Sequence, residues 1–188
     1  MLMFKKKSAA LLVSLILVLC IAAGGTVAYL FEITPAVENT FSPATVTTTV
    51  DEGTEDGVKT NVKITNTGNT GAYIRAAVVI TWQNANGDIY GKAPVLNTDY
   101  TISYDLANGW TKSSDGFYYW NSPVAPGAST GVLITQCMPT AQNSAPEGYS
   151  LAVEIVGSGI QSIPTRVVTS QWSSGVSGVS GTTLQIKN

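Results

Sequence analysis

Between Ala72 and Trp82 every even position is apolar: Ala72, Ile74, Ala76, Val78, Ile80 and Trp82. A period of two places all six on one face of a strand, whereas a helix would scatter them around its axis. The same pattern returns at Tyr149, Leu151, Val153 and Ile155, with Ser150 and Glu154 facing the other way. Val58 to Ile64 alternates with Lys59 and Lys63 outward, and Tyr100, Ile102 and Tyr104 repeat the pattern. Ser129 to Met138 is apolar on both faces, which predicts a central strand. Between these runs lie Asn66-Thr67-Gly68-Asn69, Asn84-Ala85-Asn86-Gly87, Asn108-Gly109, Asp115-Gly116 and Pro126-Gly127, all turn chemistry. With no long amphipathic helix, the expectation is an all-β chain folded as an antiparallel β-sandwich.

The residue inventory removes several function classes. The chain contains no histidine, which excludes Ser-His-Asp and Cys-His catalysis, HExxH metalloprotease chemistry and His-ligated zinc. Beyond Lys5, Lys6 and Lys7 it carries 7 basic against 12 acidic residues, a net of −5 that repels nucleic-acid phosphates. No glycine loop has P-loop or dinucleotide-binding spacing. No cofactor is expected.

At the N-terminus, Lys5-Lys6-Lys7 forms a basic region before the apolar run Ala9 to Ala23, and Ser8 to Phe31 holds no charge. Thr26 and Ala28 supply small side chains at −3 and −1 for cleavage before Tyr29, the signature of a secretory signal peptide at 1–28. The competing reading is an uncleaved anchor, since the run exceeds the ~20 residues that span a bilayer. On the cleavage reading the membrane is met only through the signal peptide, and the product is secreted to the extracellular matrix or cell surface. Cys20 leaves with the leader, so Cys137 has no intrachain partner and reads as a small core residue.

The segment after the cleavage site breaks register. Phe31, Ile33, Val37 and Phe41 share one parity and Glu32, Thr34, Glu38 and Thr40 the other, while beyond Pro43 the apolar positions become Val46 and Val50. A strand cannot change phase without a bend or bulge, so 29–44 reads as a separate arm and hinge. Such an arm can fold back as an edge strand or add to the sheet of a neighbour. The gain from burying its four apolar side chains and the entropy cost of ordering about ten residues are of similar size, so the two fates are closely balanced. The sandwich domain is expected over 45–172. Ser173 to Gly181 is Ser/Gly-rich, and 173–188 reads as a flexible tail.

Several blocks resemble the TasA/camelysin family, secreted biofilm-matrix proteins of Gram-positive bacteria exported through a SipW-type signal peptidase. They are Gly24-Gly25-Thr26-Val27-Ala28-Tyr29-Leu30-Phe31, Asn39-Thr40-Phe41, and Ile64-Thr65-Asn66-Thr67-Gly68-Asn69 followed by Ala72-Tyr73-Ile74-Arg75. The resemblance implies a jelly-roll β-sandwich that polymerises as a matrix or surface fibre subunit, by donor-strand exchange through Phe31, Ile33, Val37 and Phe41. Its implied partners are further copies of itself, with an accessory matrix protein as an optional second partner, and the SipW-type peptidase during export. Ser42-Pro43-Ala44 departs from the family's glycine after Asn-Thr-Phe. Metalloprotease activity described for camelysin-like members is not carried over, because the histidines are missing.

Two other features can carry binding. Asp51, Glu52, Glu55 and Asp56 form an acidic stretch with the hard oxygen ligands of a Ca²⁺ site but not EF-hand spacing, and a solvated turn is the simpler reading. Trp110, Tyr118 and Trp120 can form a stacking platform, which gives the alternative function of a cell-surface glycan- or protein-binding module, although one face packed as core and the other under a loop is the simpler reading. Asp88, Asp99, Asp105 and Asp115 lie in turn-like segments, and nothing in their spacing marks a catalytic pair, so no catalytic residue is assigned. Arg75 faces away from the apolar side of its strand and can pair with an acid across the sheet.

Overall fold

The computed structural model describes residues 44–55 and 58–188, together with Ser14–Ile16 and Val18. The chain divides into two units, Met1–Ser42 and Pro43–Asn188. Of the first, only those four helical, exposed residues are described. The cleavage residues Thr26, Ala28 and Tyr29 and the arm residues Phe31, Ile33, Val37 and Phe41 therefore lie outside the described residues. No helix among the described residues is long and apolar enough to cross a membrane.

The second unit is an antiparallel sandwich, as the alternation requires. Its strands are β1 (Thr48–Glu55), β2 (Val58–Asn66), β3 (Ala72–Asn84), β4 (Tyr100–Tyr104), β5 (Trp110–Lys112), β6 (Tyr118–Trp120), β7 (Ile134–Pro139) and β8 (Tyr149–Gln161). One sheet has the order β1-β2-β7-β4 and the other β5-β6-β3-β8. Ile74, Ala76 and Tyr118 from the second sheet meet Val62, Ile64, Ile134 and Cys137 from the first in a buried core. The neighbours 8-3-6 and 2-7-4 are those of a jelly roll. The winding departs from it at β1, which pairs with β2 instead of lying beside β8, and at β5, which joins β6.

A pair of bulges accounts for two departures from simple alternation. On β1 the register advances from Asp51 to Gly53 while on β2 it advances from Lys63 to Thr60, so β2 holds one extra residue. Asn61 sits at φ 52°, a left-handed conformation that asparagine tolerates better than most residues. The adjacent β7 slips similarly against β4, between Ser103 and Tyr104. Ile134 and Cys137, of opposite parity, consequently both face the core, which is why the sequence of β7 looked apolar on two faces. By the same displacement Lys59, expected outward, faces inward opposite Cys137, while Lys63 stays exposed. Of the Ser129–Met138 run only the residues from Ile134 onward are strand, as β7, which is central between β2 and β4.

The C-terminal segment corrects the expectation of a flexible tail at 173–188. Helix α1 (Arg166–Gln171) leads into a hairpin of β9 (Val176–Ser180) and β10 (Thr183–Ile186), turning at Gly181 with φ 60°. Val168, Trp172, Val176 and Leu184 cover Tyr73 and Tyr119 on the outer face of the second sheet, forming a second core. The hairpin is tied down by main-chain bonds from Leu184 N–H to the Asn121 carbonyl (2.9 Å) and from Ser114 N–H to the Lys187 carbonyl (3.1 Å). Small Ser and Gly residues serve here to bring the chain close: a Cβ on Gly175 would collide with the Tyr119 hydroxyl and the Asp115 carboxylate.

Candidate functional site: an open seam in the sandwich

The two sheets close unevenly. At the C-terminal end of β8, Gly157 and Gly159 present no side chain to the interior, and Val46, Thr48 and Ile64 come down onto them. A Cβ at Gly159 would lie 2.7 Å from Val46 Cγ1 and 3.0 Å from Thr48 Cγ2. Further back along β8 the sheets part. Val50 and Glu52 on β1, Lys59 on β2 and Val153–Val156 on β8 line a groove of about 370 Å³. Val50, Val153 and Ile155 pack against the main core yet remain partly exposed there.

Beside this groove runs an unpaired strand edge. Strand β8 is thirteen residues long and pairs along its whole length with β3. Among the described residues it has no neighbour on its other side. A long free edge is a template for strand addition, which folded proteins usually blunt with charge, proline or a cover. Here the guard is one ion pair. The Lys59 ammonium meets Glu52 at 2.9 Å and also donates to the main-chain carbonyl of Val153 on β8. The side chains of the pair are 15% and 31% exposed, so both are partly withdrawn from water.

The acidic stretch is therefore strand rather than a cation-binding turn. Asp51 accepts from the Thr65 hydroxyl on the outer face of the sheet and Glu52 is committed to Lys59. Glu55 ends β1, and Asp56 lies outside the described residues. No group of potential metal ligands occurs among the described residues.

Of the two readings of the aromatic cluster, the core reading holds and the stacking platform does not. Trp110 is buried, with its indole N–H donating to the Gly131 carbonyl at 2.9 Å, and Tyr118 is buried and stacked on Tyr104 at 4.8 Å. Trp120 meets Trp110 edge-on at 5.6 Å. Trp110 and Tyr118 are core, and Trp120, half-buried, packs against them. The face that Tyr118 and Trp120 share is the interior one, as the simpler reading expects.

Arg75 also departs from expectation. Instead of pairing with an acid it lies between two rings, its Cζ 4.0 Å from the centre of Phe117 and 4.8 Å from that of Trp172. Its Nη1 donates to the Tyr119 hydroxyl at 3.4 Å, and that hydroxyl donates to Asp115 Oδ2 at 2.8 Å. Burial works to raise the Asp115 carboxyl, but hydrogen bonds from Tyr119, Ser174 and the Phe117 N–H outweigh it and leave the pKa below its ordinary value. Burial pushes the Tyr119 phenol up, with the Arg75 bond opposing it. Asp99 is held low by the N–H groups of Ser144 and Val95 and by the Ser144 hydroxyl. Each aspartate ties its own turn to a distant segment, Asp99 to Ser144 and Asp115 to Ser174, which is a structural role. Burial raises the Cys137 thiol, which keeps it protonated and inert.

A larger dish of about 500 Å³ is lined by Asn97, Thr98, Thr140, Ala141 and Gln142. It has no charged side chain, and the Thr140 hydroxyl is bonded to the Thr98 carbonyl at 2.5 Å. The seam between β1 and β8, with its free edge and with Val50, Val153 and Ile155 in its lining, is the feature that can hold a partner. Comparisons with family models, curated proteins and solved structures found no match. The site is thus read from its own geometry. The groove was legible in the sequence only as the apolar parity of β8; its guard, Lys59, was hidden by the bulge at Asn61.

Proposed function

We propose that the protein is a secreted, non-catalytic structural subunit that assembles into extracellular biofilm-matrix or surface fibres. Each copy donates its N-terminal arm, Phe31 to Phe41, to the β8 edge of the next. The observation that carries this reading is the free thirteen-residue edge of β8 bordering a groove, lined by Val50, Val153 and Ile155 around the Lys59–Glu52 pair, that the described residues leave open. The arm suits it: alternate apolar side chains over eleven residues, the pattern strand addition needs for main-chain pairing on one side and pocket filling on the other. Pro35 fits an edge position better than a sheet centre.

Reach favours exchange between copies. Val46 is anchored over Gly159 near the end of β8. An arm running antiparallel to β8 would have to bring Phe41 back near Tyr149, and at ~3.3–3.6 Å per residue the few residues between Phe41 and Val46 cannot span a thirteen-residue strand. An antiparallel arm therefore has to come from another copy. Cleavage after Ala28 by a SipW-type peptidase would free the arm outside the membrane, and the resemblance to TasA/camelysin proteins agrees with this route. An accessory matrix protein presenting a similar strand would be a second partner. The absence of histidine and the inert Cys137 support a non-catalytic role.

The test compares Tyr29–Asn188 with a version lacking Tyr29 to Ser42, by size-exclusion chromatography and negative-stain microscopy across concentration. The longer chain is expected to form filaments and the shorter to remain folded and monomeric. Filaments from the shorter chain would overturn the proposal.

A further inference from the structure

The seam sets charged groups among Val50, Val153 and Ile155: the Lys59–Glu52 pair, and Glu154, whose Oε1 already accepts from Gln83 Nε2 at 2.7 Å. An ammonium has three protons to donate. Lys59 gives one to Glu52 Oε1 and one to the Val153 carbonyl. The third, and the second oxygen of Glu52, have no partner among the described residues. The apolar parity of the arm has a matching interruption: Asn39, between Val37 and Phe41, is the one side chain there with both a donor and an acceptor.

We propose that Asn39 of an incoming arm sets its register by engaging the Lys59–Glu52 pair, its amide oxygen accepting the third Lys59 proton and its amide N–H donating to Glu52. This rests on the donor-strand reading of the same groove. A strand laid over the seam removes the pair from water, and a buried ion pair holds only where its remaining protons and lone pairs are satisfied. A slip of two residues places Val37 or Phe41 over the pair and leaves both charges short of partners. A slip of one turns the apolar face outward. A single polar contact within an apolar interface is an efficient register device, as a lone asparagine is in coiled coils. The bulge at Asn61 gains a purpose on this account, because it aims Lys59 into the seam.

The experiment measures the critical concentration for assembly by sedimentation, using the chain expressed with its own leader. Thermal melting of the soluble fraction checks the fold. Four proteins are compared: wild type, Asn39→Leu, Glu52→Leu/Lys59→Met, and the triple substitution. Asn39→Leu and the groove double substitution are each expected to raise the critical concentration about tenfold, by leaving polar groups unpaired. The triple substitution, apolar on both sides, is expected to return to within about threefold of wild type, the non-additivity of groups in contact. Additive losses would overturn the register role while leaving arm donation to β8 standing. No change in either variant would place the arm elsewhere and overturn both. Should the groove variant fail to fold, Asn39→Leu decides alone, since it leaves the 43–188 unit untouched. An unchanged critical concentration then refutes the inference.

Discussion

The guanidinium of Arg75 on β3 lies 4.8 Å from the ring centre of Trp172, which follows α1, and so joins the second sheet to the C-terminal layer. On its other side it stacks on Phe117 at 4.0 Å, and Trp172 also meets Tyr119 edge-on at 5.7 Å. One residue thus closes the second core. Trp172→Ala is expected to cost ~3–5 kcal/mol, a large aromatic removed from a packed site. Trp172→Phe, which keeps a ring for Arg75, should cost less. Urea denaturation reads the difference, and limited proteolysis gives a qualitative check. In the wild type 173–188 should resist cleavage, while in Trp172→Ala it should be cut early. A wild-type chain trimmed rapidly at Ser173 would contradict the packing described.

Acid should loosen this same region. The Asp115 carboxyl has a folded pKa below its unfolded value of ~3.9, so its stabilising contribution is fully present above that value. The contribution is lost as pH falls through the folded pKa. Asp99 acts in the same direction. Unfolding free energy measured between about pH 5 and pH 2 should therefore decline towards acid, and the slope should be shallower in Asp115→Asn. A slope identical to wild type would mean that the bonds from Tyr119, Ser174 and Phe117 do not favour the ionised form.

The fold was legible wherever one parity held without interruption. Ala72 to Trp82 and Tyr149 to Ile155 read as strands, and they are the paired β3 and β8. Reading failed where a backbone irregularity moved a side chain across the sheet. Lys59 and Lys63 share a parity, and nothing in their spacing reveals that Asn61 at positive φ separates their faces. It failed again where composition was allowed to outweigh pattern. Ser173 to Gly181 is rich in flexible residues, yet Val176 and Val179 are answered by Leu184 and Ile186 across a turn at Gly181-Thr182. Leu184 and Ile186 alternate in the sequence, whereas Val176 and Val179 differ in parity and meet them only because β9 holds an extra residue at Ser177. For Trp110, Tyr118 and Trp120 the core reading was the simpler one, although periodicity tells which residues share a face and not which face meets water.

Neighbouring strands of the second sheet provide the sharpest contrast for the seam. Ile155 on β8 packs against the main core beneath the groove, whereas Val79 on β3, outside the groove lining, is 42% exposed. Val79→Arg should leave stability within about ±0.5 kcal/mol, as expected for a surface position, and should leave assembly intact. Ile155→Arg places a charge where an added strand must bury its apolar side chains, and desolvating it without a partner is costly. That variant should stay monomeric at concentrations where wild type and Val79→Arg form filaments. Its own fold should be weakened but retained, because the groove side of Ile155 already meets solvent and the long guanidinium can follow it outward. Sedimentation and negative-stain microscopy on the three proteins make the comparison. Equal loss of filaments in both variants would locate the contact on the outer face of the sheet. Filaments from Ile155→Arg would remove the seam from assembly altogether.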